Sequence, residues 1–212
     1  MKIPKRTATR KAKETMARFE IITPVKGAVL TLETKRLLLS VYKPSAAEKV
    51  TDYLTRNRKF HKPFNQTQRD RYFTVPEQKT YLKSDLLQYK TNTQVGLWIS
   101  TIEEPWRIIG RLSFYSIIGG CMNSCFVGYH IDENEQGKGY MTEALLAGCD
   151  FMFKYYRLHR IEADVMPHNE RSIAVVTKCG FEKMGLNLRF MEIDGSYKDH
   201  IMFVKLNSDV ET

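Results

Sequence analysis

The spacing of hydrophobic and polar residues changes along the chain, from the alternation typical of strands to the spacing typical of helices and back. Seven segments are rich in β-branched and aromatic residues, or alternate between apolar and polar positions, and this indicates strands. The predicted strands cover residues 37–42, 95–101, 107–118, 125–131, 160–165, 188–193 and 197–206. The last two flank Asp194-Gly195, a strong signal for a two-residue turn. We therefore expect a sheet protein that ends in a β-hairpin.

Four other segments carry apolar residues at helical spacing. The predicted helices cover residues 45–57, 76–92, 142–157 and 170–178. Ser45 and Glu48 have the spacing of a capping box at the start of the first helix. Asn169 suits the N-cap of the last helix, and Gly180 suits its C-terminal stop.

The order of these elements is strand, helices, three strands, helix, strand, helix and hairpin. This order predicts a mixed α/β fold, and a chain of 212 residues is expected to form one domain. No apolar run reaches the roughly 18 residues of a membrane span, and no signal peptide is evident. The four cysteines form no Cys-x-x-Cys pair and have no His partner at metal spacing, so we expect buried, reduced thiols, no metal and a cytoplasmic protein.

A glycine-containing loop, residues 132–139, stands between the predicted fourth strand and the long apolar helix. Gly137 and Gly139 let the backbone N–H groups approach a ligand closely. The start of the helix leaves about four N–H groups unpaired, with the positive end of the helix dipole behind them. This combination predicts an anion site, and phosphate is its usual occupant.

Three motifs in this order resemble those of one enzyme family. Gln136-x-x-Gly139-x-Met141 resembles the Gln/Arg-x-x-Gly-x-Gly/Ala signature with which the GNAT acyltransferases hold the pyrophosphate of acetyl-CoA. The segment 169–181 is similar to the Asn-x-x-Ser…Lys-x-Gly-Phe segment of the ribosomal-protein N-terminal acetyltransferase branch. The segment 32–39 is similar to the first strand of that branch. Together the resemblance covers about residues 30–207.

The resemblance implies a GNAT fold, with a central, mostly antiparallel seven-stranded sheet that is splayed between its fourth and fifth strands and flanked by helices. It places the GNAT domain at residues 29–208. It implies that acetyl-CoA is the co-substrate and that a primary amine attacks it directly in a ternary complex. The branch favours a protein or peptide N-terminal α-amine as the acceptor. We expect a monomer or a homodimer, and the sequence does not decide between them.

The resemblance also implies which residues bind the co-substrate. Pantetheine is expected along the splayed strand at Tyr129, His130 and Ile131. The remaining expected contacts, with the pyrophosphate and the neighbouring arm, are at Gln136, Gly137, Lys138, Gly139, Tyr140, Met141, Thr142, Asn169 and Ser172.

Three positions depart from the pattern. Met141 stands where the signature has Gly or Ala, but only its backbone N–H is needed there. Val176 stands where many GNAT enzymes carry a tyrosine acid, and Phe126 stands where the branch often has a glutamate. Ser172 matches the serine that the branch is thought to use as the acid, although a serine in the first helical turn can equally be a cap.

The general base stays open at this stage. A relative carries a glutamate on the penultimate strand, where Met191 stands here with Glu192 beside it. Because adjacent strand residues face opposite sides, one residue of register decides whether Glu192 faces the cleft. His130, His200 and Tyr197 are further candidates, and a water chain is another, since an α-amine has a pKa of about 8.

Charge is distributed unevenly along the chain. The net charge is +9, and residues 1–20 alone hold seven Lys/Arg against two Glu. We expect residues 1–28 to be a basic, flexible extension that either tracks RNA phosphates close to a ribosome or only aids solubility.

Two other functions remain open. One is acetylation of a polyamine or an aminoglycoside, which needs a carboxylate-rich pocket. The predicted acceptor wall, residues 56–73, has Asp70 as its one acid among six Lys/Arg, and this disfavours a polycation. The other is a GNAT-fold module that binds RNA or a ribosome without turnover.

Overall fold

The computed structural model describes residues 19–209, which form nine strands and five α-helices. The strands are β1 (Glu20–Ile22), β2 (Ala28–Glu33), β3 (Leu37–Tyr42), β4 (Val95–Thr101), β5 (Gly110–Ile118), β6 (Ser124–Ile131), β7 (Arg160–Val165), β8 (Glu182–Ile193) and β9 (Ser196–Leu206). The helices are α1 (Ala47–Arg56), α2 (Arg58–His61), α3 (Val75–Lys90), α4 (Tyr140–Tyr155) and α5 (Glu170–Lys178).

All nine strands belong to one sheet, in the order β1-β2-β3-β4-β5-β6-β7-β9-β8. Every neighbouring pair is antiparallel except β6 and β7, which are parallel. The mixed α/β, mostly antiparallel architecture is therefore as predicted. The count of seven strands was wrong, because the short strands β1 and β2 precede β3 in the sheet.

These two extra strands also correct the predicted extension. Residues 1–18 of the basic segment lie outside the described residues, and so does its predicted contact with RNA. The prediction of a flexible segment through residue 28 is wrong at Glu20–Ile22, because this stretch pairs with β2. The segment 32–39, expected as one strand, is instead the end of β2, a turn and the start of β3, closed by a bond from Thr34 N to Leu37 O of 2.9 Å.

Two buried clusters hold helices on opposite faces of the sheet. On one face, α4 packs over the central strands, with Leu112, Phe114 and Leu145 in the cluster. On the other face, Trp98 packs with Val50 of α1 and Leu82 of α3. Both faces of the central strands are covered, which explains why every residue of β3 and β4 is buried.

Several details of the helices differ from the predictions. The helix predicted at 142–157 begins two residues earlier, because Gly139 in a left-handed conformation (φ +79°) starts it. The capping box at Ser45 and Glu48 was wrong: a 3₁₀ turn over Pro44–Ala46 precedes α1, and no side chain caps either element. The predicted N-cap of α5 was right, since Asn169 Oδ1 accepts a hydrogen bond from Ser172 N. The predicted stop at Gly180 was also right, since the helix ends at Lys178.

Three of the four cysteines are buried as expected, but Cys121 is exposed. Between residues 19 and 209, no helix has the length and apolar character needed to cross a membrane.

We expect Gly148→Ala to destabilise the protein by roughly 1–3 kcal/mol, because the site is overpacked. A Cβ at Gly148 of α4 would lie 2.5 Å from Leu112 Cδ2 and 2.9 Å from Phe114 Cε2. Urea unfolding followed by circular dichroism measures the effect. The control is Gly185→Ala on the edge strand β8, where a Cβ meets nothing within 4 Å. Equal stability of the two variants would show that α4 does not lie this close to the sheet.

Candidate functional site

The sheet opens between its two parallel strands. β6 pairs with β7 at three positions, from Ser124 to Phe126, and no further in the described residues. Beyond them, the β6 edge from Val127 to Ile131 faces β7 without a strand partner. A cleft of about 690 Å³ occupies this opening, so unpaired peptide groups of β6 lie along its wall.

The predicted anion loop forms one end of this cleft. Gly137 and Gly139 have φ of +74° and +79°, a region that L side chains rarely adopt. The backbone N–H groups of residues 137–142 donate to no protein acceptor among the described hydrogen bonds. Successive unpaired N–H groups at the positive end of α4 fit a diphosphate.

Residues flanking the loop brace it. The Gln136 side chain donates to Glu133 O at 2.9 Å, and its Oε1 accepts from Arg171 at 2.6 Å. Gln136 therefore fixes the loop conformation. The Lys138 ammonium donates a hydrogen bond to the Glu135 carboxylate at 2.8 Å, so the positive charge of Lys138 is already partly neutralised within the protein.

A turn far upstream anchors the start of α4 through one carboxylate. Glu143 Oε1 accepts from the Thr34 hydroxyl at 2.7 Å and from Arg36 N at 2.9 Å, while Oε2 accepts from Arg36 Nε at 2.7 Å. Arg36 also donates to Lys138 O at 3.0 Å and lies over the Tyr140 ring. Burial opposes ionisation of Glu143, but these donors outweigh it and lower its pKa. The sequence motif around Arg36 thus holds the loop in place.

Two acids at the start of the loop are neutralised within the protein. Asp132 accepts from Arg56 at 2.8 Å and from Arg107 at 3.4 Å. Glu135 accepts from Arg107 and from Lys138, both at 2.8 Å. Burial raises the pKa of each carboxyl, but these partners outweigh burial and lower it. Neither acid is left to bind a cationic ligand.

Ser172 lies in the wall of the cleft at the first turn of α5. Its backbone N–H donates to Asn169 Oδ1 at 3.2 Å, so Asn169 provides the cap. Its hydroxyl lies 2.8 Å from the hydroxyl of Tyr129 on β6. Burial raises the pKa of that phenol, which keeps it protonated. The sequence did not identify this Tyr129–Ser172 pair, because the partners are 43 residues apart.

Two histidines line the cleft on the side away from α4. His130 Nδ1 lies 2.7 Å from the Tyr53 hydroxyl, and His61 Nε2 lies 2.8 Å from Ile131 O. Burial lowers the pKa of both rings, and for His130 the neighbouring His61 and Arg111 add to this effect. Both imidazoles are therefore neutral and weakly basic at pH 7.

Most of the predicted co-substrate residues line this one cleft. They are Tyr129, His130, Ile131, Gln136, Gly137, Gly139, Tyr140, Met141, Thr142, Asn169 and Ser172. Lys138 does not line it. The Met141 side chain is also part of the core, where its exposed fraction is 5%.

The suggestion of Glu192 as a base is contradicted by the register of β8. Met191 and Ile193 line the cleft, while Glu192 between them points to the opposite face and is exposed. Tyr197, another candidate, is 65% exposed and does not line the cleft, whereas His200 does. Asp164 of β7 also lines the cleft, and no sequence motif indicated it. The alternation of apolar and polar residues within 160–165 was the one sequence signal that the Asp164 side chain lies on the opposite face of the strand from its apolar neighbours.

Residues 36–182 match the family described as "Acetyltransferase (GNAT) domain". The chain belongs to this family. It is accordingly an acyltransferase that depends on acetyl-CoA, and the alternative of a binding module without turnover was wrong.

Three relatives illustrate the similarity of this GNAT acetyltransferase to known proteins. A probable N-acetyltransferase, YjcK of Bacillus subtilis, is 33% identical over 85% of this chain and 99% of its own. The ribosomal protein uS5-alanine N-acetyltransferase of Escherichia coli is 33% identical over 81% of this chain and 88% of its own. The solved ribosomal-protein-S5-alanine acetyltransferase of Vibrio fischeri is 31% identical, covers 86% of this chain and 99% of its own, and has a TM-score of 0.81.

We expect Glu143→Gln to weaken CoA binding about tenfold and to lower the free energy of unfolding by roughly 1–3 kcal/mol at pH 7, because donors of Arg36 lose their charged acceptor. Isothermal titration calorimetry and urea unfolding measure the two effects. Because the pKa of Glu143 is lower in the folded than in the unfolded protein, its contribution is present above the unfolded value and is lost as pH falls through the folded value. The stability difference should therefore shrink in acid.

The matched control for this experiment is Glu133→Gln, an exposed acid beside the same loop. If Glu133→Gln also lowered CoA affinity tenfold, the loss of one negative charge near the loop would explain the effect, and the hydrogen bonds of Glu143 would not be responsible.

Proposed function

We propose that this acetyltransferase transfers the acetyl group to the N-terminal α-amine of a protein or peptide, of the ribosomal-protein type. The observation that carries this proposal is that one continuous cleft joins the anion loop to a second, mostly apolar wall across the sheet. That wall contains Phe60, Phe64, Met191 and Ile193. An extended peptide that enters by its N-terminus would bring its amine to the opening between β6 and β7.

The chain restricts this entrance by a contact between two distant segments. Asn65, which follows Phe64, accepts a backbone hydrogen bond from Asp194 N in the β8–β9 turn at 3.1 Å. The segment after α2 and the C-terminal hairpin therefore enclose the acceptor side from two directions. Such an enclosure suits a thin, flexible chain end better than a folded surface.

Charge disfavours a polyamine or an aminoglycoside as the acceptor. A polycation needs several free carboxylates at spacings that match its amines. Of the described acids that line the cleft, Glu135 is paired with Arg107 and Lys138, which leaves Asp164. One free carboxylate suits a single α-ammonium.

Acetyl-CoA, when bound, supplies the acetyl group as a reactive thioester. The chain offers the unpaired N–H groups of residues 137–142 to its diphosphate and the free β6 edge to its pantetheine arm. Asn169 holds the first turn of α5 in place through the Ser172 N–H.

We assign to the Ser172 hydroxyl the delivery of a proton on the co-substrate side. Its Oγ lies in the cleft, and the Tyr129 phenol 2.8 Å away can replace the proton that it gives up. In this mechanism both reactants are bound together and the amine reacts directly.

The test is thiol release from acetyl-CoA with a panel of amines: peptides with N-terminal Ala or Ser, spermidine and an aminoglycoside. We expect turnover with the peptides, and none with the two polycations because the cleft lacks a second free acid. Peptide products are located by mass spectrometry of the acetylated N-terminus. Turnover restricted to spermidine or the aminoglycoside would refute the proposed acceptor.

Ser172→Ala should lower kcat with the peptide substrate by ~10²-fold and leave CoA affinity unchanged, as expected for loss of a general acid. Steady-state kinetics and calorimetry measure the two quantities. Thr177→Ala is the control, because this exposed hydroxyl lies on the same helix but not in the cleft. Full activity of Ser172→Ala would exclude the serine as the acid.

A further inference from the structure

Asp164 occupies the point at which the two parallel strands separate. The last pair between β6 and β7 joins Phe126 and Glu162. The next positions on the same face are Gly128 and Asp164, and both line the cleft. At this position β6 carries no side chain, because the residue is Gly128.

The hydrogen bonding of this carboxylate is incomplete. Oδ1 accepts from the Asn187 amide of β8 at a long 3.4 Å. Oδ2 is buried and has no hydrogen-bond partner among the described residues. A buried acceptor without a donor costs free energy, and a buried carboxylate costs more than a neutral acceptor. The other cleft acid, Glu135, has two cationic partners, so Asp164 is left for a donor from outside the chain.

The groups around Asp164 provide no cation in contact with it. Three titratable side chains interact electrostatically with Asp164: Glu162 on β7, Tyr115 on β5 and His200 on β9. Burial and the charge of Glu162 raise the pKa of Asp164, against smaller opposite effects of His200 and Asn187. A carboxylate in this state is a stronger base than one in water, and an ammonium group is its best partner.

Two histidines of the cleft, His61 and His130, are weaker candidates for this role. One ring nitrogen of each is already hydrogen-bonded, that of His130 with the Tyr53 hydroxyl and that of His61 with Ile131 O. In addition, burial lowers the pKa of His61 and His130, which makes them poor proton acceptors at pH 7.

We propose that the Asp164 carboxylate binds the ammonium group of the acceptor and accepts its proton, so that the free amine can react. In this step an N–H bond breaks and an O–H bond forms, and the nitrogen keeps the electron pair with which it attacks the acetyl carbon. This inference rests on the proposed transfer to an amine, but it holds for any amine that the enzyme accepts.

The test compares Asp164→Asn, which keeps the shape of the side chain, with wild type across about pH 6 to 9.5. The substrate is whichever amine of the panel the wild-type enzyme acetylates. We expect kcat/KM to fall by ~10²–10³-fold near pH 6.5, and the deficit to narrow above the amine pKa of about 8, where the amine is already neutral. CoA affinity should stay unchanged.

Two further variants make this result specific. Glu192→Gln is the control, because this acid of β8 is exposed on the opposite face of its strand and does not line the cleft. Asp164→Ser replaces Asp164→Asn if the latter does not give a cooperative thermal melt. A deficit that narrows with pH in the Asp164 variants and not in the control supports the proposal.

Three outcomes would overturn it. They are a deficit below about threefold near pH 6.5, a deficit that does not change with pH, and an equal deficit in Glu192→Gln. If wild type acetylates only a polycation, the proposed acceptor fails, and the Asp164 variants decide this inference with that amine over a pH range extended past its pKa of about 10.4. If wild type acetylates no amine of the panel, both proposals fail.

Discussion

Glu143 is the residue on which the geometry of the co-substrate side depends. Its two oxygens take three donors from Thr34 and Arg36, which lie in the turn between β2 and β3. This contact joins segments more than 100 residues apart in sequence. It fixes the first turn of α4 against the sheet, and Arg36 extends the contact to the loop through Lys138 O. Without it, the loop would keep the bonds that Gln136 makes with Glu133 O and Arg171 and that Lys138 makes with Glu135.

The second constraint is the short pairing of β6 with β7. Three paired positions hold the two halves of the sheet together, and the strands then separate. The separation exposes the β6 edge on one side and Asp164 on the other. A single geometric feature therefore supplies peptide groups for a co-substrate and a carboxylate beside them. The two reactants of a transfer reaction can meet there because the sheet has a gap at that place.

Charge within the site is arranged so that most acids are already satisfied. Asp132, Glu135 and Glu143 are each held by arginine or lysine partners, which organise the loop and its surroundings. Asp164 is the exception among the acids that line the cleft, because its Oδ2 has no partner in the described part of the chain. Buried unpaired carboxylates are costly, and such costs persist at sites where they serve a function.

Periodicity alone located most of the elements, because strand and helix periods are local properties of the chain. The strand at Arg160–Val165, the helix at Glu170–Lys178 and the Asp194-Gly195 turn occur where the sequence predicted them. Local patterns also located the loop, since its two glycines and the start of α4 are neighbours in sequence. They failed at β1 and β2, which are stabilised by pairing with each other and with β3.

The sequence by itself determined the fold class, the family and the position of the glycine loop before α4. The tertiary structure decided which polar side chains act together, because each such pair joins distant segments: Arg36 with Glu143, Tyr129 with Ser172, and Tyr53 with His130. It also decided the side of the sheet that each strand residue faces. A shift of one residue in register separates Glu192, which faces solvent, from Met191, which lines the cleft, and register is set by pairing between strands.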